Sequence, residues 1–311
     1  MTRFLVTGVS GLLGLNFSLQ TSPVHSVFGI YNQHDLRNPP FNVVRSDLRE
    51  TGGIEQLLDE IQPDVVINCA ALTNIDQCET RSELAQIVNA DLPGHLASIT
   101  KRLGISLVQV STDAVFNGKR GNYSEEDTPN PISVYSKTKL DGERKVAEIN
   151  ADALIVRVNF YGCSLSGQRS LAEWFYNNLS TGNPVNGFTD VFFCPLLVNH
   201  LVDVITQLVA MGKNGLYHLV SSESLSKYEF GIRLANRFGL DENLIKPITW
   251  SEGGLKAQRS PNLTLRTDKL ARSLGRSLPK QVEGLDTFHE LHQNGFRQRV
   301  LAMNNSQVMQ D

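Results

Sequence analysis

Through the first 160 residues, short apolar runs alternate with longer stretches whose apolar positions recur every three or four residues. The runs predict β-strands at Arg3–Thr7, Ser26–Tyr31, Asn42–Arg45, Asp64–Asn68, Ile105–Ser111 and Ala153–Val158. The longer-period stretches predict helices at Leu12–Gln20, Gly53–Ile61, Glu83–Leu103 and Val134–Glu148. Asp64-Val-Val-Ile and Ala153-Leu-Ile-Val are almost continuously apolar, as strands covered on both faces require. Strand, helix and strand in repetition imply a parallel sheet with right-handed crossovers. The expected fold class is therefore α/β, a doubly wound parallel sheet.

After Val158 the rhythm loosens. Helical patterns fall at Ser170–Leu179, Val198–Met211, Lys227–Phe238 and Gln281–His292, with a strand-like piece at Gly215–Val220 between them. The expectation is two domains, 1–160 and 161–311, the second smaller and α+β. Part of 186–212 is expected to pack back on the first, and the polar tail from about 302 to be frayed.

Composition narrows the classes without naming one. A hydrophobic fraction of 41% and a charged fraction of 20% suit a globular chain with a sizeable core. A net charge of −3 provides no field to gather nucleic acid or an anionic membrane, so neither is expected as a partner. No apolar run approaches the roughly 18 residues of a membrane span. The opening MTRFLVTGVSGLLG reads as a first strand and turn, because glycines and hydroxyls interrupt it and no cleavage-site pattern follows. Cys69, Cys78, Cys163 and Cys194 are widely spaced, and the His residues are scattered. Reduced thiols, a cytoplasmic location and no metal site are the expectation.

Chemistry enters directly after the first strand, at Gly8-Val-Ser10-Gly11-Leu12-Leu13-Gly14. A G-x-x-G-x-x-G turn that leaves a strand and opens a helix is a variant of the dinucleotide fingerprint. Glycine permits the sharp turn, and the pyrophosphate meets free N–H groups at the helix N-terminus. This expectation is a Rossmann-type cofactor site. An acid for the ribose 2′-hydroxyl belongs about 20 residues further on, at the end of the second strand. There the chain reads Tyr31-Asn32-Gln33-His34-Asp35-Leu36-Arg37, with no acid at Tyr31 or Asn32. A 2′-phosphate is then tolerated and Arg37 could pair with it, which favours NADP(H) over NAD(H). Asp47-Leu48 after the third strand is placed to meet the adenine edge. Cys69-Ala70-Ala71 after the fourth supplies small residues beside which a cofactor can lie.

The fifth strand ends in Ser111-Thr112-Asp113, and Val134-Tyr135-Ser-Lys-Thr-Lys139 opens the following helix. Residues four apart share a helix face. An ammonium at Lys139 beside a phenol at Tyr135 is expected to lower the phenol's pKa from about 10. A strand-end hydroxyl, a phenol and an ammonium converging on the sheet's carboxyl edge would suit proton transfer to a carbonyl.

In this order, G-x-x-G-x-x-G, N-C-A-A, S-T-D-x-V-F-x-G and Y-x-x-x-K resemble the extended short-chain dehydrogenase/reductase superfamily. Within it, the likeness is to the dTDP-4-dehydrorhamnose reductase family. It continues through Arg157-Val-Asn159-Phe-Tyr161-Gly162, Pro195-Leu-Leu-Val-Asn199, Gly215-Leu-Tyr-His-Leu-Val220 and Gln258-Arg259-Ser-Pro261-Asn262, covering the chain to about Leu291. The resemblance implies that Tyr135 protonates a keto oxygen held by Thr112 or Ser111, while Lys139 tunes the phenol and binds the nicotinamide ribose. It also implies a nucleotide-sugar substrate, contacted by Ser111, Asn159 and Arg259. The activity it implies is NADPH-dependent reduction of a nucleotide-linked 4-keto-6-deoxysugar. Two departures bear on the substrate: Ala114 stands where the family usually has Tyr, and Phe160 where it often has Trp. Two other readings stay open, a sugar-nucleotide epimerase or dehydratase and a regulatory subunit like the methionine adenosyltransferase beta subunit. A homodimer is allowed, and no strip of residues decides it.

Overall fold

The computed structural model describes residues 1–50, 52–253 and 260–305. In chain order the first part comprises β1 (Arg3–Thr7), α1 (Leu12–Thr21), β2 (Ser26–Tyr31), β3 (Asn42–Arg45) and α2 (Gly53–Ile61). Next come β4 (Val65–Asn68), α3 (Ile75–Thr80), α4 (Ser82–Gln86), α5 (Leu92–Leu103), β5 (Ser106–Thr112), α6 (Val134–Ile149) and β6 (Leu154–Val158). The remainder holds β7 (Phe160–Tyr161), α7 (Leu171–Ser180), β8 (Val185–Phe188), β9 (Phe192–Phe193), β10 (Leu196–Leu197), α8 (Val198–Ala210) and β11 (Gly215–Leu219). It closes with β12 (Leu225–Ser226), α9 (Lys227–Phe238), β13 (Ile245–Ile248), α10 (Asp268–Leu274), α11 (Gln281–Gln293) and α12 (Phe296–Ala302).

Seven strands form one parallel sheet in the order β11-β6-β5-β4-β1-β2-β3. The order reverses at β1, so the connections leaving the carboxyl ends of the paired strands β1 and β4 run to opposite sides and leave the crevice in which such sheets bind ligands. The α/β doubly wound expectation holds. Both faces are sealed by apolar clusters. Phe4, Val6, Val156 and Leu219 pack with α8 residues such as Leu201 and Ile205 on one face. Leu5, Val66, Leu107 and Ile155 pack with Leu96 and Ile99 of α5 on the other. The sheet's last strand comes from the second half of the chain, since β11 pairs with β6 from Gly215↔Leu154 to Leu219↔Val158. A third cluster, centred on Phe175, Phe230, Phe288 and Tyr161, lies among α7, α9 and α11.

The predicted single helix over Glu83–Leu103 is instead α4, a wide π turn at Ile87–Asp91, and α5. Pro93 sits in the first turn of α5 and has no N–H to continue a regular ladder back to Asn89. The widened turn lets the helix continue and gives Asn89 a site-facing role described below. The helix α3, not expected from periodicity, starts at a conventional cap: Asn74 accepts a hydrogen bond from the Gln77 N–H. At the other end, α12 and residues 303–305 are tied to the body. Leu36 and Asn304 form a bridge, and the Arg37 N–H donates to the Met303 carbonyl at 2.8 Å.

Candidate active site

Backbone geometry at the turn after β1 explains its glycines. Gly8 has φ +63°, and a Cβ there would lie 2.9 Å from the backbone of Ala70. At Gly14 a Cβ would stand 2.5 Å from the Gly8 carbonyl oxygen, so only glycine lets α1 pack this tightly on the turn. Gly11 caps α1 in extended conformation with no side-chain cap bond, and no acid occupies the helix's first turn. Orphan N–H groups therefore face outward without a competing carboxylate, the arrangement a pyrophosphate needs. Ser10, Gly11 and Leu12 are partly exposed there, whereas the Leu13 side chain is core. A buried polar ladder stiffens the crevice floor: Thr7 donates to Asn68 at 2.6 Å, and Asn68 donates to Gln109 at 2.7 Å. Thr7 also accepts from the Ala70 N–H at 3.2 Å, which holds Cys69-Ala70-Ala71 beside the glycine turn.

Tyr135 and Lys139 occupy the start of α6. Ser133 caps that helix reciprocally with Ser136, and Glu79 of α3 accepts from the Val134 N–H at 2.9 Å. These bonds fix the turn that carries Tyr135. Its phenol lies against the Thr112 hydroxyl, which favours the phenolate, but burial and the nearby Asp113 charge outweigh that and push it up to about 12. The expected lowering by Lys139 is therefore not what the structure shows. Lys139 is buried and donates to the Val110 carbonyl at 2.7 Å. Burial pulls its pKa down to about 8, against the opposing influence of Glu143 and Cys69. Burial also pushes the Cys69 thiol up to about 12, so it is a neutral neighbour at pH 7.

Thr112 both ends β5 and caps the following turn, donating to Asp113 at 3.1 Å and accepting from the Ala114 N–H at 3.2 Å. Asp113 accepts from the Asn159 amide at 2.5 Å, and its burial raises it to about 6 despite those bonds and the Lys227 charge. Thr112, Asp113, Tyr135 and Asn159 thus make one connected cluster, with Lys139 one turn along α6.

The family model of the RmlD substrate binding domain matches residues 2–293 of this chain. The chain belongs to this family. It is 34% identical over 288 residues to the probable low-salt glycan biosynthesis reductase of Haloferax volcanii, covering 90% of this chain and 95% of that protein. It is 30% identical over 296 residues to methionine adenosyltransferase 2 subunit beta of Pongo abelii, covering 90% and 85%. The dTDP-4-dehydrorhamnose reductase of Bacillus anthracis in complex with NADP superposes with a TM-score of 0.79 at 27% identity, covering 92% of this chain and 98% of that one. The architecture of this RmlD-family chain is of the extended short-chain dehydrogenase/reductase type.

The other expected site residues have the following surroundings. Ser111 faces away from Thr112, as alternate residues of a strand must. Its hydroxyl donates to Glu143, whereas Thr112 is the strand-end hydroxyl beside Tyr135. The Arg37 segment is held by Met303, and Asp35 accepts from the Asn305 amide at 3.2 Å, so this loop is drawn toward the C-terminus. Asn32 and Asp47 meet each other beyond the ends of β2 and β3, where Arg49 pairs with Asp47 and holds it near pKa 2. Leu48 packs against the core below them. Arg259 lies outside the described residues. Its neighbours Ser260 and Asn262 staple the loop after β5: Ser260 donates to the Phe116 carbonyl at 2.9 Å, and the Asn262 N–H to that of Gly118 at 3.2 Å.

Sequence reasoning missed three residues. Arg45, paired in register with Tyr31, donates to the Asn32 carbonyl at 3.2 Å and brings a cation to the end of β2. Asn89, on the π turn, ties the crevice to α6: it accepts from the Leu72 N–H at 2.8 Å and donates to Thr138 at 3.2 Å. Pro93, four residues after the helical Asn89, would have marked a break there. Glu143 was the third, and its position at i+4 from Lys139 was the available signal. Among the described residues, no group of three or more His, Cys, Asp or Glu could hold a metal ion. No helix among them is long and apolar enough to cross a membrane.

Proposed function

We propose that this protein reduces a nucleotide-linked 4-keto-6-deoxysugar with NADPH, in the manner of the dTDP-4-dehydrorhamnose reductases it resembles. The observation that carries the reading is the juxtaposition of the Tyr135 phenol and the Thr112 hydroxyl beside a dinucleotide cradle that Gly8 and Gly14 make possible. The dinucleotide supplies the hydride when bound. Thr112 holds the keto oxygen and Tyr135 gives it a proton. Lys139 presents a buried cation beneath the site, with Cys69 and Ala70 lining the crevice. A phenol of pKa about 12 remains an effective donor here, because the alkoxide left by hydride addition is more basic still. A single buried acid follows Thr112, where dehydratases commonly carry two, and this weighs against the dehydratase reading.

The deciding experiment is NADPH oxidation across a panel of 4-keto nucleotide sugars, with turnover expected on at least one dTDP-linked 4-keto-6-deoxyhexose. The similarity to methionine adenosyltransferase 2 subunit beta supports a second reading, a subunit that binds a partner enzyme. Tight dinucleotide binding with no turnover on any panel member would favour that second reading.

Cofactor choice is governed by the end of β2. Asn32 itself carries no charge, the Asp47 carboxylate that meets it is paired with Arg49, and Arg45 donates to the Asn32 carbonyl. A guanidinium suits a 2′-phosphate through paired hydrogen bonds. Arg45→Ala is expected to weaken NADPH binding by about 10-fold, one charge-assisted contact, and to leave NADH nearly unchanged. Fluorescence titration with both cofactors checks this, and equal losses for the two would move the phosphate contact elsewhere.

A further inference from the structure

Behind the proposed proton-transfer cluster lies a buried charged assembly that it does not use. Behind Lys139, Arg157 of β6 donates to both oxygens of Glu143, from Nε to Oε1 at 3.0 Å and from Nη2 to Oε2 at 2.7 Å. Ser111 donates to the same carboxylate from β5. Both partners are almost completely enclosed, Arg157 at 2% and Glu143 at 5% exposure. Arg157 also lies over the Phe116 ring at 5.1 Å and reaches His218 of β11 at 3.4 Å. Burial and the Arg157 charge press His218 down to about 3, so its neutral ring accepts from Arg157 and donates from Nδ1 to the Arg266 carbonyl.

Burying an ion pair gives little net stability, and apolar residues of the same volume often serve as well. Its presence here calls for another role, and Lys139 supplies one. The charged and titratable groups facing Lys139 are Glu143 from its own helix and the Cys69 thiol from the end of β4. Arg157 and His218 face the far side of Glu143, and Glu125 accepts from the His218 backbone N–H at 3.0 Å. Lys139 itself donates to the Val110 carbonyl, one residue before Ser111 on β5.

We propose that Glu143 is a positioning residue for the Tyr135–Lys139 pair: clamped by Arg157 and Ser111, its carboxylate keeps the buried Lys139 ammonium charged and seated against β5. This rests on the oxidoreductase reading for its consequence in turnover, but not for its test. Helical spacing sets Glu143 one turn beyond Lys139, and Arg157 and Ser111 engage both of its carboxylate oxygens. Without the Glu143 charge, burial would neutralise Lys139 at a lower pH, and the nicotinamide-side cation would be lost within the neutral range.

The test follows Lys139 directly, by its ¹³Cε resonance in lysine-labelled protein, assigned by its absence in Lys139→Arg. Its midpoint is expected near 8 in the wild type. Glu143→Gln alone leaves Arg157 buried and unpaired, which is strongly destabilising, so the informative variant is Glu143→Gln/Arg157→Met, which removes both charges. Its Lys139 midpoint is expected at least about one pH unit lower, the scale for losing a nearby opposite charge. Ser111→Ala, which keeps both charges, is expected to hold the wild-type midpoint. An unchanged midpoint in the folded double variant would overturn the proposal. A shift in Ser111→Ala as large as in the double variant would also overturn it, by tracing the effect to packing. If a 4-keto sugar is turned over, the alkaline fall in kcat/KM is expected to move with the NMR midpoint. Absence of any turnover would count against the reductase reading and leave the lysine titration readable.

Discussion

Tyr135→Phe is expected to lower turnover by about 10²–10⁴, the range for losing a positioned general acid, while dinucleotide affinity stays close to wild type. The substitution removes one oxygen and keeps the ring that fills the half-buried space at the start of α6. Ser133 and Glu79 hold that turn through backbone N–H groups, so the helix start does not depend on the phenol. Only the phenol oxygen, the proposed proton donor, and its contact with Thr112 are lost. Thr112→Val is expected to act in the same direction but less strongly, since it removes the group proposed to orient the keto oxygen and leaves the proposed donor. Measured kcat with a saturating 4-keto nucleotide sugar checks both. Full activity in Tyr135→Phe would mean that another acid protonates the product, and Asp113, at about 6, would be the first to examine.

The sheet and the glycine turn were legible because their physics is local. A strand covered on both faces reads as an apolar run, and all six strands expected in the first half formed within a residue of their predicted ends. Ser111 shows where local reading stops. Two adjacent hydroxyls end β5, and only the sheet's register decides which faces the crevice and which faces Glu143. The ionisation of Tyr135 was misjudged for a related reason. Spacing placed Lys139 on the same helix face, but the depth of burial and the Asp113 charge from another element set the phenol's pKa. The edge strand β11 was visible as a strand, yet its pairing with β6 depends on a chain return that no periodicity encodes.

Gly14→Ala is expected to raise the dinucleotide Kd by about 10-fold or more, equivalent to at least about 1.4 kcal/mol, with losses for NADPH and NADH alike. A Cβ at residue 14 would lie 2.5 Å from the Gly8 carbonyl oxygen and 3.0 Å from the Val9 Cα. Both obstacles are backbone, so no side-chain rotation relieves them and α1 must lift from the turn. The Gly8 carbonyl cannot retreat, because it accepts from the Gly11 N–H at 2.9 Å and Gly8 already packs against Ala70. Lifting α1 would move the free N–H groups of its first turn away from the pyrophosphate they are placed to meet. It would also disturb the contact of α1 with α8 and the donation of Asn16 to the Cys163 carbonyl at 2.9 Å, so some loss of Tm accompanies the weaker binding. Gly11→Ala separates the two effects. Its Cβ would meet only the Gly8 oxygen, at 3.0 Å, and its backbone is extended, so a smaller loss is expected. Gly14→Ala protein that melts near the wild type and binds both cofactors with unchanged Kd would show that the turn does not carry the pyrophosphate.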